Sequence, residues 1–217
     1  MMKRTASYIL LGILMTVLTG CIEYREEIWL NKDDSGWLTF QIGLPLHTGI
    51  EESEVAQLSI VSQCDSVEGM SVIGTGVREE DGVTWIHADV AFDHILLLNE
   101  VKNKWFGHIS LEKEEEGVRY FKRVISMSDT INANNNRFGR ALKYAALGQY
   151  AWIYITHFPD DIYTSNATLM QTDTLSNTVT WEYNLASLIN DKKTMSARYR
   201  YQPGFFEQVK NLLKRKN

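Results

Sequence analysis

Trp37-Leu38-Thr39-Phe40-Gln41-Ile42-Gly43-Leu44 is the stretch that decides the fold. Leu38, Phe40, Ile42 and Leu44 alternate with Trp37, Thr39, Gln41 and Gly43, and in an extended chain a period of two turns one apolar face toward a core. Just upstream, Tyr24, Glu26, Ile28 and Leu30 share a face in the same way. Between the two segments, Asn31-Lys32-Asp33-Asp34-Ser35-Gly36 is turn material, so the pair reads as a hairpin.

Working outward, the same alternation recurs at Ile86, Ala88, Val90 and Phe92, at Val179, Trp181, Tyr183 and Leu185, and at Met195, Ala197, Tyr199 and Tyr201. Residues 70–77, 109–113, 118–125 and 151–156 are also strand-like. Glu79-Glu80-Asp81-Gly82 and Glu114-Glu115-Glu116-Gly117 supply hairpin turns between such segments. Four helices are expected. Thr48 and Glu51 have capping-box spacing ahead of a helix to Cys64 with Val55, Leu58 and Val61 inward. Asp93 would cap a shorter one through Val101. Residues 137–147 place Phe138, Ala141, Leu142 and Ala145 on one side before Gly148. Pro203 opens an amphipathic C-terminal helix, 203–216, with Phe205, Val209, Leu212 and Leu213 on one face. The predicted fold class is α+β: a mainly antiparallel sheet of several hairpins with three to four helices packed on it.

The start of the chain specifies an address. Lys3 and Arg4 precede an apolar run, Ile9 to Leu18, followed by the small residues Thr19 and Gly20. That is the layout of a secretion signal, and a ten-residue apolar run is half of what a bilayer-spanning helix needs. Leu18-Thr19-Gly20-Cys21 resembles the lipobox of bacterial lipoproteins, in which the cysteine thiol takes a diacylglycerol and the signal peptidase cuts just before it. The plainer alternative is a secretory signal with Cys21 near its junction by chance. The resemblance implies removal of residues 1–20, an extracytoplasmic location and an anchor of at least two acyl chains, enough for stable attachment. With Ile22 rather than Asp after the cysteine, it implies the outer membrane if the host has two membranes, and otherwise the outer face of the cell membrane.

Residues 21–217 would then form one extracytoplasmic domain, since no linker, repeat or low-complexity stretch divides them. Loss of Lys3 and Arg4 takes the net charge from −5 to −7. Such a domain is repelled by nucleic acid, so no nucleic-acid partner is expected. Once Cys21 is acylated only Cys64 remains of the two cysteines, and no intramolecular disulfide can form.

A second resemblance lies further along. His157-Phe158-Pro159 to Asn166, the strand Thr178-Val179-Thr180-Trp181 and the helix-like Leu185 to Ile189 are similar to the C-terminal portion of LppM-type domains of envelope lipoproteins. It implies an envelope-associated domain and brings no catalytic residues with it.

The chemistry-bearing residues give little support for an enzyme. Asn31 to Gly36 has the first half of a calcium loop, but the twelfth position is Ile42 where a bidentate Glu is required, so a polar turn is the better reading. Of the histidines at 47, 87, 94, 108 and 157, only His87 and His94 lie close, with Asp89 and Asp93 between them; spacing alone makes poor metal ligands, and no metal or other cofactor is expected. There is no Gly-x-Ser-x-Gly elbow and no phosphate-cradling glycine loop, and Cys64 falls on an apolar helical face. The aromatic rows are more suggestive. Tyr150, Trp152 and Tyr154 share one strand face, and Trp181 and Tyr183 another. Covered on both sides they are core; left partly open they form a groove for an apolar or sugar-like ligand. Lys210, Lys214, Arg215 and Lys216 suit the negative end of the last helix or an anionic lipid surface. The leading expectation is a non-enzymatic interaction module at a membrane surface, in contact with a protein or another envelope component. Next is a carrier or sensor of an apolar ligand held between sheet and helix, and third an envelope hydrolase.

Overall fold

The computed structural model describes residues 23–45, 59–80, 83–102, 106–115, 117–126, 151–173 and 176–201. Among them the chain forms two antiparallel-rich sheets. The larger is built from β1 (Glu23–Leu30), β2 (Gly36–Pro45), β3 (Met70–Glu80), β4 (Val83–Phe92), β7 (Ala151–His157), β9 (Leu169–Asp173) and β10 (Ser176–Asn184), in the order β3-β4-β2-β1-β7-β10-β9. The smaller holds β5 (His108–Glu115), β6 (Val118–Ile125), β8 (Ile162–Ser165) and β11 (Lys193–Arg200), in the order β5-β6-β11-β8. All pairs are antiparallel except β1 with β7, which run side by side in the same direction.

The expected α+β class with three to four helices packed on a sheet is overturned. Only two short α-helices, α1 (Ser59–Asp65) and α2 (Leu185–Asn190), and a 3-10 helix at Ile95–Asn99 accompany the strands among the described residues. The alternation correctly requires that one face of each sheet be covered, but a period of two does not say by what. Here the cover is chiefly the other sheet. On the larger sheet Tyr24, Ile28, Leu38, Phe40, Ala88, Val90, Trp152, Tyr154, Val179 and Trp181 point inward. They share one apolar cluster with Ile109, Phe121, Ile125, Met195, Ala197 and Tyr199 of the smaller sheet. Phe121 lies 6.4 Å from Trp181 across the gap, and Phe40 6.4 Å from Phe106.

The helices that form fill the rims of this interior. Val61 and Cys64 of α1 are buried in the cluster, as are Leu185 and Leu188 of α2. Asn184 caps α2 by accepting from the Ala186 N–H at 2.8 Å. The expected cap at Asp93 belongs instead to His94, whose Nδ1 accepts from the Leu96 N–H at 3.2 Å and opens the 3-10 turn. The helices expected at 137–147 and 203–216, with the C-terminal cations, lie outside the described residues. Of the helix expected from Glu51, residues 59–65 are described and helical. No helix of the described residues is long and apolar enough to cross a membrane.

A charged pair crosses the apolar interior. Arg123 of β6 donates to both carboxylate oxygens of Glu26 on β1, its Nη2 reaching Oε2 at 3.0 Å, and its Nε donates to the Phe106 carbonyl at 2.7 Å. Tyr24 O–H donates to the same carboxylate at 2.8 Å, and the guanidinium sits 5.0 Å from the Tyr154 ring centre. Burial opposes the charge on Arg123, but Glu26 beside it outweighs that effect and raises its pKa. The pair is 2% and 1% exposed, so its hydrogen bonds fix which residue of one sheet faces which of the other.

Candidate functional site

The outer face of the larger sheet carries the residues that the inward apolar set leaves over. Strand register places Trp37 opposite Trp29, Trp29 opposite His157, and His157 opposite Thr178. The row therefore crosses four adjacent strands. The rings stack: Trp29 lies 5.3 Å from Trp37 at 14°, and 4.9 Å from His157 at 7°. The turn that sets this row is tight. Asn31 N–H donates to the Ser35 carbonyl at 2.8 Å, Asp33 accepts from the Ser35 hydroxyl at 2.6 Å, and Asp34 takes a left-handed φ of 70°. The carboxylate of Asp34 is held by Arg119 of β6, which ties the hairpin tip to the smaller sheet and leaves it engaged in an ion pair.

Polar partners fix the far end of the stack. His157 Nε2 is 2.7 Å from Glu27 Oε1, and its Nδ1 is 2.9 Å from Thr178 Oγ1. The hydrogen bond to His157 lowers the Glu27 pKa, more than partial burial raises it, and Arg25 adds to the lowering. Thr178, His157 and Glu27 thus have the connectivity of a nucleophile, a base and an orienting acid. The surroundings do not suit acyl transfer. Thr178 is 7% exposed and lies in mid-strand between β7 and β9, where backbone N–H groups serve the two ladders and not an oxyanion. What the network does is hold the imidazole flat against Trp29. At the other end Trp37 is 40% exposed, and its neighbour on β4 is the small residue Ala91.

The residues singled out in the sequence fall elsewhere. Trp152, Tyr154 and Trp181 are 2%, 2% and 1% exposed, and Tyr183 packs half-buried against the same cluster. Tyr24 stacks on Trp152 at 4.3 Å and Tyr154 lies 6.3 Å from Tyr183 on adjacent strands of the larger sheet, and Phe121 faces Trp181 across the interior, so the rings pack on one another. Tyr150 and Cys21 lie outside the described residues. His87 and Asp89 do share a face, but they lean over Gly76 and Gly74 of β3, and Asp89 accepts from Thr39 Oγ1 at 2.6 Å. Among the described residues no three His, Cys, Asp or Glu side chains gather in a way that would hold a metal. Cys64 is fully buried and burial pushes its thiol up to about 12, which makes it inert as a nucleophile.

Sequence reading missed the outer row, although its signal is present. Trp29 and Trp37 are equally distant from Asp33 at the centre of the turn, which makes them cross-strand partners. The strand pattern assigns both to the side facing away from the core. His157 joins them only through the parallel pairing of β1 with β7, a contact between residues far apart in sequence.

A concavity of about 250 Å³ opens on the smaller sheet between β6, β8 and β11, lined by Tyr120, Thr164, Asn166, Ser196 and Arg198. Two of its polar side chains, Arg198 and Asn166, are already engaged. Arg198 makes a two-pronged pair with Glu114 at 2.7 and 2.9 Å. Asn166 accepts from Trp181 Nε1–H at 2.9 Å and from the Ser196 N–H at 2.8 Å, and donates to the Thr194 carbonyl at 2.7 Å.

No known protein family matches the chain, and no curated protein matches it. Among solved structures it is similar to the folded domain of the LppM protein of Mycobacterium tuberculosis, determined by NMR. The TM-score is 0.47 and the identity 13%, over 85% of this chain and 92% of that one.

Proposed function

We propose that the chain is a bacterial envelope lipoprotein, anchored through a diacylglyceryl group on Cys21, whose domain acts as a non-enzymatic interaction module at a membrane surface outside the cytoplasm. The observation that carries this reading is the order of a charged start, a ten-residue apolar run and Leu18-Thr19-Gly20-Cys21. In a host with two membranes, Ile22 favours the outer one. The position of β1 agrees with a short tether. It begins at Glu23, two residues after Cys21, and runs through the interior of the larger sheet, so the anchor is joined to the domain without a linker.

The same geometry separates the anchor from the candidate face. Trp29 lies six residues along β1 from Glu23, about 20 Å at 3.3 Å per residue. The Trp37-Trp29-His157 row then lies about 20 Å along β1 from the anchored end and is presented to partners in the surrounding compartment. The network around His157 keeps that row rigid and performs no reaction.

The test is made in the native host. The wild-type chain should incorporate labelled fatty acid, lose residues 1–20 and fractionate with membranes. Cys21→Ser should incorporate no label and retain its leader. A Cys21→Ser chain that is processed and sediments as the wild type does would refute the anchor.

A further inference from the structure

The two sheets have four edges among the described residues: β3 and β9 on the larger, β5 and β8 on the smaller. An edge strand exposes a row of unpaired N–H and C=O groups, and proteins blunt such rows with bulges, charges, short strands or side-chain covers. Three of the four are blunted. β3 carries a register shift between Val72 and Gly74 and ends in Arg78-Glu79-Glu80. β5 has a shift between Lys113 and Glu115 and the charged run Glu112-Lys113-Glu114. The Asn99 side chain also engages both the N–H and the carbonyl of its Ile109, at 2.7 and 2.9 Å. β8 is only four residues long, and its pairing with β11 is broken by a shift.

β9 is the least blunted of the four: it is short, at five residues, and ends in the acid Asp173, but it has no bulge. Leu169 to Asp173 pairs with Ser176 to Thr180 in unbroken register, and it contains no cation and no proline. Leu169 and Met170 are 53% and 44% exposed. As successive strand residues they point to opposite faces, so apolar surface is offered on both sides of the open backbone row.

We propose that β9 is a docking edge that accepts an extended segment of another protein as an added strand, completing the larger sheet. Only an extended backbone matches a row of alternating donors and acceptors, which excludes a small molecule or a helix as the occupant. The segment carries apolar residues to cover Leu169 on one face and Met170 on the other, with a cation rather than an acid beside Asp173.

A second copy on the same bilayer does not fit. β9 runs parallel to β1, since β1 and β7 are parallel while β7-β10 and β10-β9 are antiparallel. Antiparallel β9-to-β9 pairing would point the two β1 strands, and with them the two Cys21 residues, in opposite directions, and parallel in-register pairing would set the acid Asp173 against its own copy. The antiparallel half of this exclusion rests on the lipid anchor; the docking edge itself does not.

The probe is a synthetic peptide, Ala-Thr-Leu-Met-Gln-Thr-Lys, which repeats residues 167–173 with lysine for Asp173, so that parallel in-register pairing sets its Leu, Met and lysine beside Leu169, Met170 and Asp173. Added at millimolar concentration to the purified full chain, it should slow hydrogen exchange of the 168–173 backbone about tenfold or more and leave β5 unchanged. The double substitution Leu169→Lys with Met170→Lys should abolish that protection while lowering the urea midpoint only slightly, because about half of each side chain is already exposed. No slowing at millimolar peptide would overturn the proposal, as would equal slowing in the lysine variant. Concentration-dependent protection of β9 without peptide, with crosslinked dimers on one vesicle, would make a second copy the occupant and overturn it too. Because the peptide experiment does not depend on Cys21, failure here is separable from failure of the anchor.

Discussion

Glu26 and Arg123 form the one pair of opposite charges enclosed at 2% exposure or less among the described residues, and the asymmetry of buried charge makes a sharp expectation. Removing either partner leaves the other without its counter-charge in an apolar interior. Glu26→Ala or Arg123→Ala should therefore cost about 3–5 kcal/mol in urea unfolding, whereas replacing both by apolar residues of similar volume should cost much less. Equal losses in the single and double variants would mean that packing and not charge sets the penalty. Glu27, on the opposite face, gives a pH prediction. Its folded pKa lies below its ordinary value because His157 donates to the ionised form, so the carboxylate favours the folded state at neutral pH. That contribution is complete above the unfolded value, near pH 4.3, and is lost as pH falls through the lower folded value. Compared with the wild type, Glu27→Gln should be less stable at pH 7 and should converge with it only once the pH falls below the lowered folded value. Parallel curves across that range would remove Glu27 from the acid response.

At the scale of elements, two glycines that both require a left-handed backbone separate conformational cost from steric cost. Gly107 has φ 71° and Gly117 φ 82°. A Cβ at Gly117 would have its nearest neighbour at 3.7 Å, but one at Gly107 would lie 2.3 Å from the Val124 carbonyl oxygen of β6. Gly117→Ala should cost about 1 kcal/mol, the left-handed penalty alone, and Gly107→Ala clearly more because β5 and β6 must also move apart. Equal unfolding free energies for the two variants would contradict the close approach. Only Gly117 is marked by the sequence, as the end of the acidic run Glu114-Glu115-Glu116. The same limit runs through the fold. Alternation in residues 24–30, 37–44 and 86–92 shows where strands are and which side is apolar, and those strands form as read; residues 118–125 form the expected strand, but its buried side carries Arg119 and Arg123 beside Phe121 and Ile125. Alternation does not distinguish a helix from a second sheet as the cover, which is why the α+β expectation fails. Nor does local pattern reveal β9, five residues with Leu169 and Met170 exposed on opposite faces, which has no period to detect.

For the whole molecule, the consequence of sheet packing on sheet is that neither can lose its interior without exposing the other's. Phe121 of the smaller sheet touches both Trp181 of the larger and Phe158 beyond β7, with ring centres 6.4 and 5.5 Å apart. Phe158 in turn lies 4.6 Å from Tyr199. The aromatic residues that alternation singled out, Trp152, Tyr154 and Trp181, are therefore legible as a single inward set, while the outer Trp37-Trp29-His157 row depends on a parallel pairing that no local pattern encodes. Phe121→Ala tests the shared interior. It should lower stability by about 3–5 kcal/mol, the usual cost of emptying an aromatic site in a packed core. The loss should appear as one transition, with tryptophan fluorescence, dominated by the larger sheet, and far-ultraviolet circular dichroism, which reports both sheets, shifting to the same lower urea midpoint. If fluorescence kept its original midpoint while the dichroism signal split into two steps, the sheets would be independent units. The Glu26-Arg123 bond between them would then be a contact between domains and not a fastening within one.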